Sequence, residues 1–305
     1  MSSKYSLKSL PGHKPGNAIP AFFFAHGSPA LMTESGAAKS GRFTKGFEGG
    51  PNGQQANFLR QFGPFLLETY KPKGIVVFSA HWEVDANAPI LITDNTEAWQ
   101  MSQDALYYDY YGFPDPMYQL RFQSKPDPEL SQEVAALLSA AGINNSKVQN
   151  KRGFDHGVYI PFKLMFGDKL DVPLVEVGQY VNPEANLKLG SAIASLAKEG
   201  YLILCGGLTI HTFKDWQAWD RVTADPGYDA LMSTLVDAHE EEDLLQQKQR
   251  LLDITTHPYF RKAHPTIEHF TPLYIAAGVG QALEGQTKVV SNVWGAQTAA
   301  YGVGA

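Results

Sequence analysis

Three short apolar runs, each closing on a histidine, constrain what this chain can fold into. Ala21-Phe22-Phe23-Phe24-Ala25 leads into His26 and a Gly27-Ser28-Pro29 turn. Ile75-Val76-Val77-Phe78-Ser79-Ala80 leads into His81-Trp82, and the run that begins at Tyr201 and contains Cys205, Gly206 and Gly207 leads into His211. Continuous apolar runs of this length, without alternation, predict strands buried on both faces. Strands of that kind need helices on each side, and open α/β sheets bind ligands at the carboxyl ends of their strands. Histidine is the commonest side-chain metal ligand. Three histidines delivered to one sheet edge therefore point to a shared metal centre.

The rest of the chain fits this frame. Helical spacing runs over 58–70, where Gly63-Pro64 marks a kink and Lys71-Pro72 the stop, and over 127–141. A further helix is expected over 183–199, with Asn182 as N-cap and Pro183 at its first position. Residues 228–253 read as mainly helical and acidic, with His239 on a solvated face. Strands are expected at 88–93 and 172–177 and within 288–301. The alternation of strands and helices suits βαβ units. The expected architecture is a single α/β domain over 21–305. Its central sheet is mostly parallel or mixed and is flanked by helices. A flexible arm, 1–20, precedes it. The stretch 33–56 reads as a long loop leaving the His26 edge, placed to act as a lid.

Composition narrows the function. The 305 residues carry a net charge of -6, which excludes a basic nucleic-acid surface. No run is long and apolar enough to span a bilayer, and residues 1–20 lack the apolar core of a secretory signal. The single cysteine, Cys205, lies inside an apolar run and reads as a core residue. A cytoplasmic protein without nucleic-acid or membrane partners is expected; the oligomeric state is open.

The nine histidines separate by context. His13, His239 and His257 have no motif around them. His269 is the candidate for a further ligand beside His26, His81 and His211, with the adjacent Glu268 as its rival. Two histidines and a carboxylate would suit non-haem Fe(II), whereas an all-histidine set with open positions also suits zinc. His264 reads as a helix-start hydrogen-bonding residue. His156, in Asp155-His156-Gly157, reads as a loop residue able to carry protons or to serve as a turn residue. Tyr107, Tyr108, Tyr110, Tyr111 and Phe113 either wall a pocket or pack in the core.

These residues carry a resemblance. The segments are Phe24-Ala25-His26-Gly27-Ser28-Pro29, Ser79-Ala80-His81-Trp82-Glu83, Gly112-Phe113-Pro114, Arg152-Gly153-Phe154-Asp155-His156-Gly157, Gly206-Gly207 ahead of His211, and His264-Pro265 with Glu268-His269-Phe270 and Pro272-Leu273. In this order the chain resembles the extradiol ring-cleavage dioxygenases of the LigB superfamily, in their DOPA-dioxygenase branch. The resemblance implies a LigB-like fold and one divalent metal, Fe(II) for activity with Zn(II) able to occupy the same site. It implies His26, His81 and His269 as ligands, and His211 as a ligand or acid–base residue. It implies His156 as a substrate-binding, proton-transferring catalytic residue. The implied reaction opens a catechol ring with O2 to a muconic-semialdehyde-type product. Two rivals stand beside it: a zinc-dependent hydrolase using the same histidines, and a metal-binding protein without catalysis.

Overall fold

Alternate residues of the apolar runs face two separate cores, which is why these strands show no polar side. Phe23, Val76, Phe78, Ile203 and Cys205 enter one core, whereas Phe22, Phe24, Ile75, Val77, Leu202 and Leu204 enter the other. All five residues of the first strand are buried. At about 1.5–3 kcal/mol for each large apolar side chain taken from water, such strands are stable only with helices over both faces.

The computed structural model describes residues 4–33, 50–85, 88–101, 105–143, 147–148 and 152–305. In chain order the elements are β1 (Ala21–Ala25), α1 (Gln54–Tyr70), β2 (Ile75–Val84), β3 (Leu91–Thr93), α2 (Thr96–Met101), β4 (Gln123–Lys125), α3 (Pro128–Ala140), β5 (Lys147–Val148) and α4 (His156–Phe166). They continue as β6 (Lys169–Tyr180), α5 (Pro183–Ala192), α6 (Ala194–Lys198), β7 (Leu202–Gly207), α7 (Pro226–His239), α8 (Leu244–Asp253), α9 (Phe260–Ala263), α10 (Pro272–Leu283), β8 (Gln286–Val293) and β9 (Ala296–Val303).

These strands form one mixed sheet in the order β5-β3-β6-β2-β7-β1-β9-β8, with β4 beside β6. Its centre, β6-β2-β7-β1, is parallel, while β3 on β6, β9 on β1 and the terminal hairpin β8-β9 are antiparallel. The single α/β domain with a mostly parallel core is therefore observed. Helices α3, α5, α7 and α10 cover one face; α1 and α4 cover the other.

Several local expectations change. Pro64 sits inside an unbroken α1. The helix expected over 183–199 divides into α5 and α6 at Ile193. Gly190, near that break, packs so closely on α10 that a Cβ there would come within 2.0 Å of the Ile275 carbonyl oxygen. His239 is buried rather than solvated, and its Nε2 hydrogen-bonds to the Tyr301 hydroxyl at 2.6 Å. The N-terminal segment packs on the domain through buried Leu10, Ala18 and Ile19. The Ala18 N–H donates to Ala305 O and the Ile19 N–H to Ala197 O. The expected lid, 33–56, lies mostly outside the described residues.

Candidate metal centre

The parallel centre of the sheet brings the histidines to one edge. His26 follows β1 directly, and its N–H donates to Gly207 O at the end of β7 (3.1 Å). His81 lies within β2, which runs on to Val84 past a register shift between Phe78 and Glu83. His211 stands four residues beyond β7, on an irregular segment. The Thr209 and Ile210 N–H groups there donate to Gly295 O, and the His211 N–H to Ala263 O. The picture of three equivalent strand ends is thus corrected to one strand end, one strand interior and one loop. His269 arrives on the turn before α10. Its carbonyl accepts from the Leu208 N–H (2.8 Å), and Gln179 Nε2 on β6 donates to Glu268 O (2.8 Å). A side chain at Gly207 would place its Cβ 2.3 Å from His269 O, so only glycine lets this turn approach the sheet.

His26, His81 and His269 converge so that one ring nitrogen from each lies within 4.8 Å of the others. The acceptors around them set the tautomers. His26 Nδ1 donates to Gly27 O (2.5 Å), His81 Nδ1 to Asp155 Oδ1 (3.1 Å) and His269 Nδ1 to Glu268 Oε1 (2.9 Å). Each Nε2 then carries a lone pair. His26 Nε2 is buried with no hydrogen-bond partner, and the Nε2 atoms of His81 and His269 face each other at 3.0 Å. Lone pairs so placed repel unless a proton or a cation lies between them, so the donor set fits a divalent metal. Burial, then the neighbouring histidines, hold the pKa values of His26 and His269 well below the ordinary range. Both rings are therefore neutral, as ligands must be. For His81 burial also opposes the charged form, but Asp155 outweighs it and raises the pKa.

Glu268, the rival ligand, accepts from His269 Nδ1. A further group that could hold a metal joins His211, Glu268 and His269, and a third joins His81, Asp109 and His156. The His211 ring stacks on His269, with centroids 3.5 Å apart and planes 14° apart. Burial, then the neighbouring histidines His264, His81 and His156, push its pKa down to about 3. His156 is the first residue of α4, not a loop residue; Asp155 caps that helix by accepting from the Gly157 N–H. His156 Nδ1 lies 2.8 Å from Asp109 Oδ1, to which its own N–H also donates. Burial and His81 lower its pKa, against the opposing pull of Asp109. His264 is buried and does not line the cavity over the cluster; its Nε2 donates to Thr209 O (3.0 Å).

Asp155 organises the far side of His81. It accepts from the Ser79 hydroxyl (2.8 Å), the Gly157 N–H (2.9 Å) and Arg152 Nη2 (2.6 Å) as well as from His81. Burial opposes its ionisation, but His81 and Arg152 hold its carboxyl well below the usual range. Arg152 also stacks over Trp82 (4.5 Å) and reaches the buried Glu176 (3.4 Å). Burial raises the Glu176 pKa to about 8, with Arg152 opposing. Asp155 and Arg152 stand in the 152–157 motif, but the sequence alone assigns them no role, and no local signal marks Asp109 or Glu176.

A cavity of about 450 Å³ opens over the five rings of His26, His81, His156, His211 and His269. Tyr110, Tyr111 and Phe113 line it, as do Phe213, Trp216 and Trp219. Of the expected aromatic wall, Tyr107 and Tyr108 do not line the cavity; the Tyr108 hydroxyl donates to Leu120 O. The aromatics after His211 were not anticipated.

A mixed sheet with a histidine cluster at the carboxyl edge of its parallel core defines a class. The family described as the catalytic LigB subunit of aromatic ring-opening dioxygenase matches residues 20–304, and the chain belongs to it. It is thus a ring-cleaving oxidoreductase of the extradiol type. Within that family it is 43% identical to a Schizosaccharomyces pombe 4,5-DOPA dioxygenase extradiol-like protein, over 93% of this chain and 92% of the relative. It is 28% identical to the 4,5-DOPA dioxygenase extradiol of Beta vulgaris, over 94% and 96%. A crystal structure of an uncharacterized Escherichia coli K12 protein shares the fold, with a TM-score of 0.64 at 18% identity over 92% of this chain and 98% of that one. Among the described residues no helix is long and apolar enough to cross a membrane.

Proposed function

We propose that the protein opens the ring of a substituted catechol beside its diol, using O2 and one Fe(II) held by His26, His81 and His269. The observation that carries this reading is the convergence of three Nε2 lone pairs, each set by a hydrogen bond on the opposite nitrogen. When bound, Fe(II) supplies a Lewis acid for the catechol oxygens and an electron path from catecholate to dioxygen. The protein supplies the proton chemistry. His156 donates from Nδ1 to Asp109, so its Nε2 is the nitrogen that accepts a catechol proton. Its lowered pKa leaves it neutral and ready to do so. Neutral His211, stacked against His269, offers a second hydrogen-bonding and acid–base group at the cavity wall. The ring carbon–carbon bond next to the diol breaks, both oxygen atoms enter the product, and a muconic-semialdehyde-type compound forms.

Zinc fits the same nitrogens but is redox-silent, so metal identity decides activity. The test is anaerobic Fe(II) loading followed by a catechol panel that includes DOPA, caffeate and protocatechuate. Oxygen uptake with a yellow product is expected. Loaded protein that binds no catechol and takes up no oxygen would refute the reading.

A further inference from the structure

We infer that Gln179 is a positioning residue for the metal centre: its buried side-chain amide ties the backbone before His81 to the backbone before His269, and so fixes the spacing of two of the three ligand nitrogens. This rests on the reading of His26, His81 and His269 as the metal ligands. The need for such a tie arises in the sheet. The ladder between β2 and β6 steps from Phe78–Val177 to Glu83–Gln179, so β2 advances five residues while β6 advances two. His81 therefore lies on a bulged stretch of β2 whose register β6 does not set. His269 lies on a turn outside any strand. Where regular pairing is lost, a side chain supplies the link. Gln179 Nε2 donates to Glu268 O (2.8 Å) and, at longer range, to Ala80 O (3.4 Å).

The neighbours of the amide set its direction. The Tyr180 N–H can only donate, and it donates to Asn186 Oδ1 (3.0 Å). Asn186 therefore turns its Nδ2 toward Gln179 Oε1 (3.1 Å), Tyr180 O (2.8 Å) and Thr271 O (3.1 Å). The Thr271 hydroxyl also donates to Gln179 Oε1 (2.8 Å). With Oε1 receiving two donors, Nε2 faces the two carbonyls. Gln179, Asn186 and Thr271 are all buried, so bonds lost from this network are not replaced by bulk water. The joined carbonyls belong to Ala80 and Glu268, each one residue before a ligand. Those ligands, His81 and His269, are the pair whose Nε2 atoms face each other at 3.0 Å. A ligand set works only when held within about 0.5 Å of its productive geometry, and without the amide the two backbones lose their common anchor.

Gln247 provides a matched control. It is also buried, its Nε2 donates to His239 O (3.2 Å) and Glu241 O (2.8 Å), and its Oε1 accepts from the Thr287 hydroxyl (2.9 Å). None of these groups lines the metal cavity. Gln179→Met and Gln247→Met each keep the side-chain length and remove the amide, so both should lower the urea midpoint. Gln179→Met alone should weaken metal binding, by about 10–100-fold, in chelator competition on Fe(II)-loaded protein under nitrogen. It alone should also shift the visible bands of Co(II)-loaded protein. Gln247→Met should stay within about twofold of wild-type affinity. Should Gln179→Met fail to fold, Thr271→Val carries the same test: it removes one of the two donors to Oε1 and should weaken metal binding several-fold. Wild-type affinity and Co(II) bands in the variant that folds, or an equal loss of affinity in Gln247→Met, would overturn the inference. Wild-type protein that takes up no metal would overturn the ligand reading itself, an outcome distinct from a metal site that Gln179 does not govern.

Discussion

Replacing Asp155 with asparagine tests whether a carboxylate behind His81 sets the strength of the metal site. Asp155→Asn keeps the shape and one acceptor oxygen, which can still receive the His81, Ser79 and Gly157 donors now shared by Oδ1. Its amide would then face Arg152 Nη2, which now approaches Oδ2 at 2.6 Å, so a donor would meet a donor. Breaking one partner of a buried ion pair costs about 3–5 kcal/mol, and Asp155 is buried. Nearby Glu176 retains part of the Arg152 pairing, so the lower end, about 3 kcal/mol, is expected. The loss of the negative charge also makes His81 a weaker donor through Nε2. Removing such a partner lowers metal affinity by about 10–100-fold. The pH dependence follows from the depressed pKa of Asp155. A carboxyl whose folded pKa lies below its unfolded value contributes stability above about pH 4, and that stability disappears as the pH falls through the folded value. The variant should therefore lose stability at neutral pH and show a shallower acid slope below about pH 4. Competition against a chelator under nitrogen measures the affinity, and urea titrations across pH measure the stability. A variant with wild-type metal affinity and an unchanged acid slope would refute the assignment of Asp155.

Three further outcomes follow. His156→Ala should keep its metal and still bind catechol but turn over about 10²- to 10⁴-fold more slowly, measured as metal per chain and oxygen uptake. Gly157→Ala would place a Cβ 2.8 Å from His81 Nδ1 and 2.9 Å from Ser79 Oγ. Despite the better helix propensity of alanine, it should cost about 1–3 kcal/mol in urea unfolding and weaken metal binding. Glu176 has its folded pKa raised from 4.5 to about 8, so its contribution to stability is complete below pH 4.5 and is lost as the pH rises toward 8. Glu176→Gln should abolish that decline in unfolding free energy, and a wild-type-like decline in the variant would contradict it.

The sheet was legible because β1, β2 and β7 are apolar on both faces, a pattern that few other arrangements can bury. His26 was legible for the same reason, since its strand ends where the apolar run ends. His211 was located in the wrong setting: its run is apolar through Ile210, but the strand stops at Gly207. The next residues bind Gly295 and Ala263, contacts between distant parts of the chain that no local pattern records. His156 illustrates a signal that was present but outweighed. Asp155 is a standard N-cap, yet Gly157 and Pro161 argue locally against a helix, and α4 forms through its packing on α1 and the sheet. His239 was obscured by the three glutamates after it, although the last turn of α7 points inward. Adjacency to His269 alone does not tell a ligand from an orienting carboxylate at Glu268; the 2.9 Å bond to His269 Nδ1 is a contact that sequence order does not record.

The most direct test of the central claim is metal content and oxygen uptake in one set of proteins: the wild type and the His26→Ala, His81→Ala and His269→Ala variants, each loaded anaerobically with Fe(II) or with Zn(II). About one metal per chain is expected in the wild type and little in any of the three variants, because each loses one of three nitrogen ligands. Catechol-dependent oxygen uptake is expected from the iron-loaded wild type and none from the zinc-loaded form. Variants that retain full metal, or rigorously iron-free zinc protein that cleaves catechol at the same rate, would contradict it.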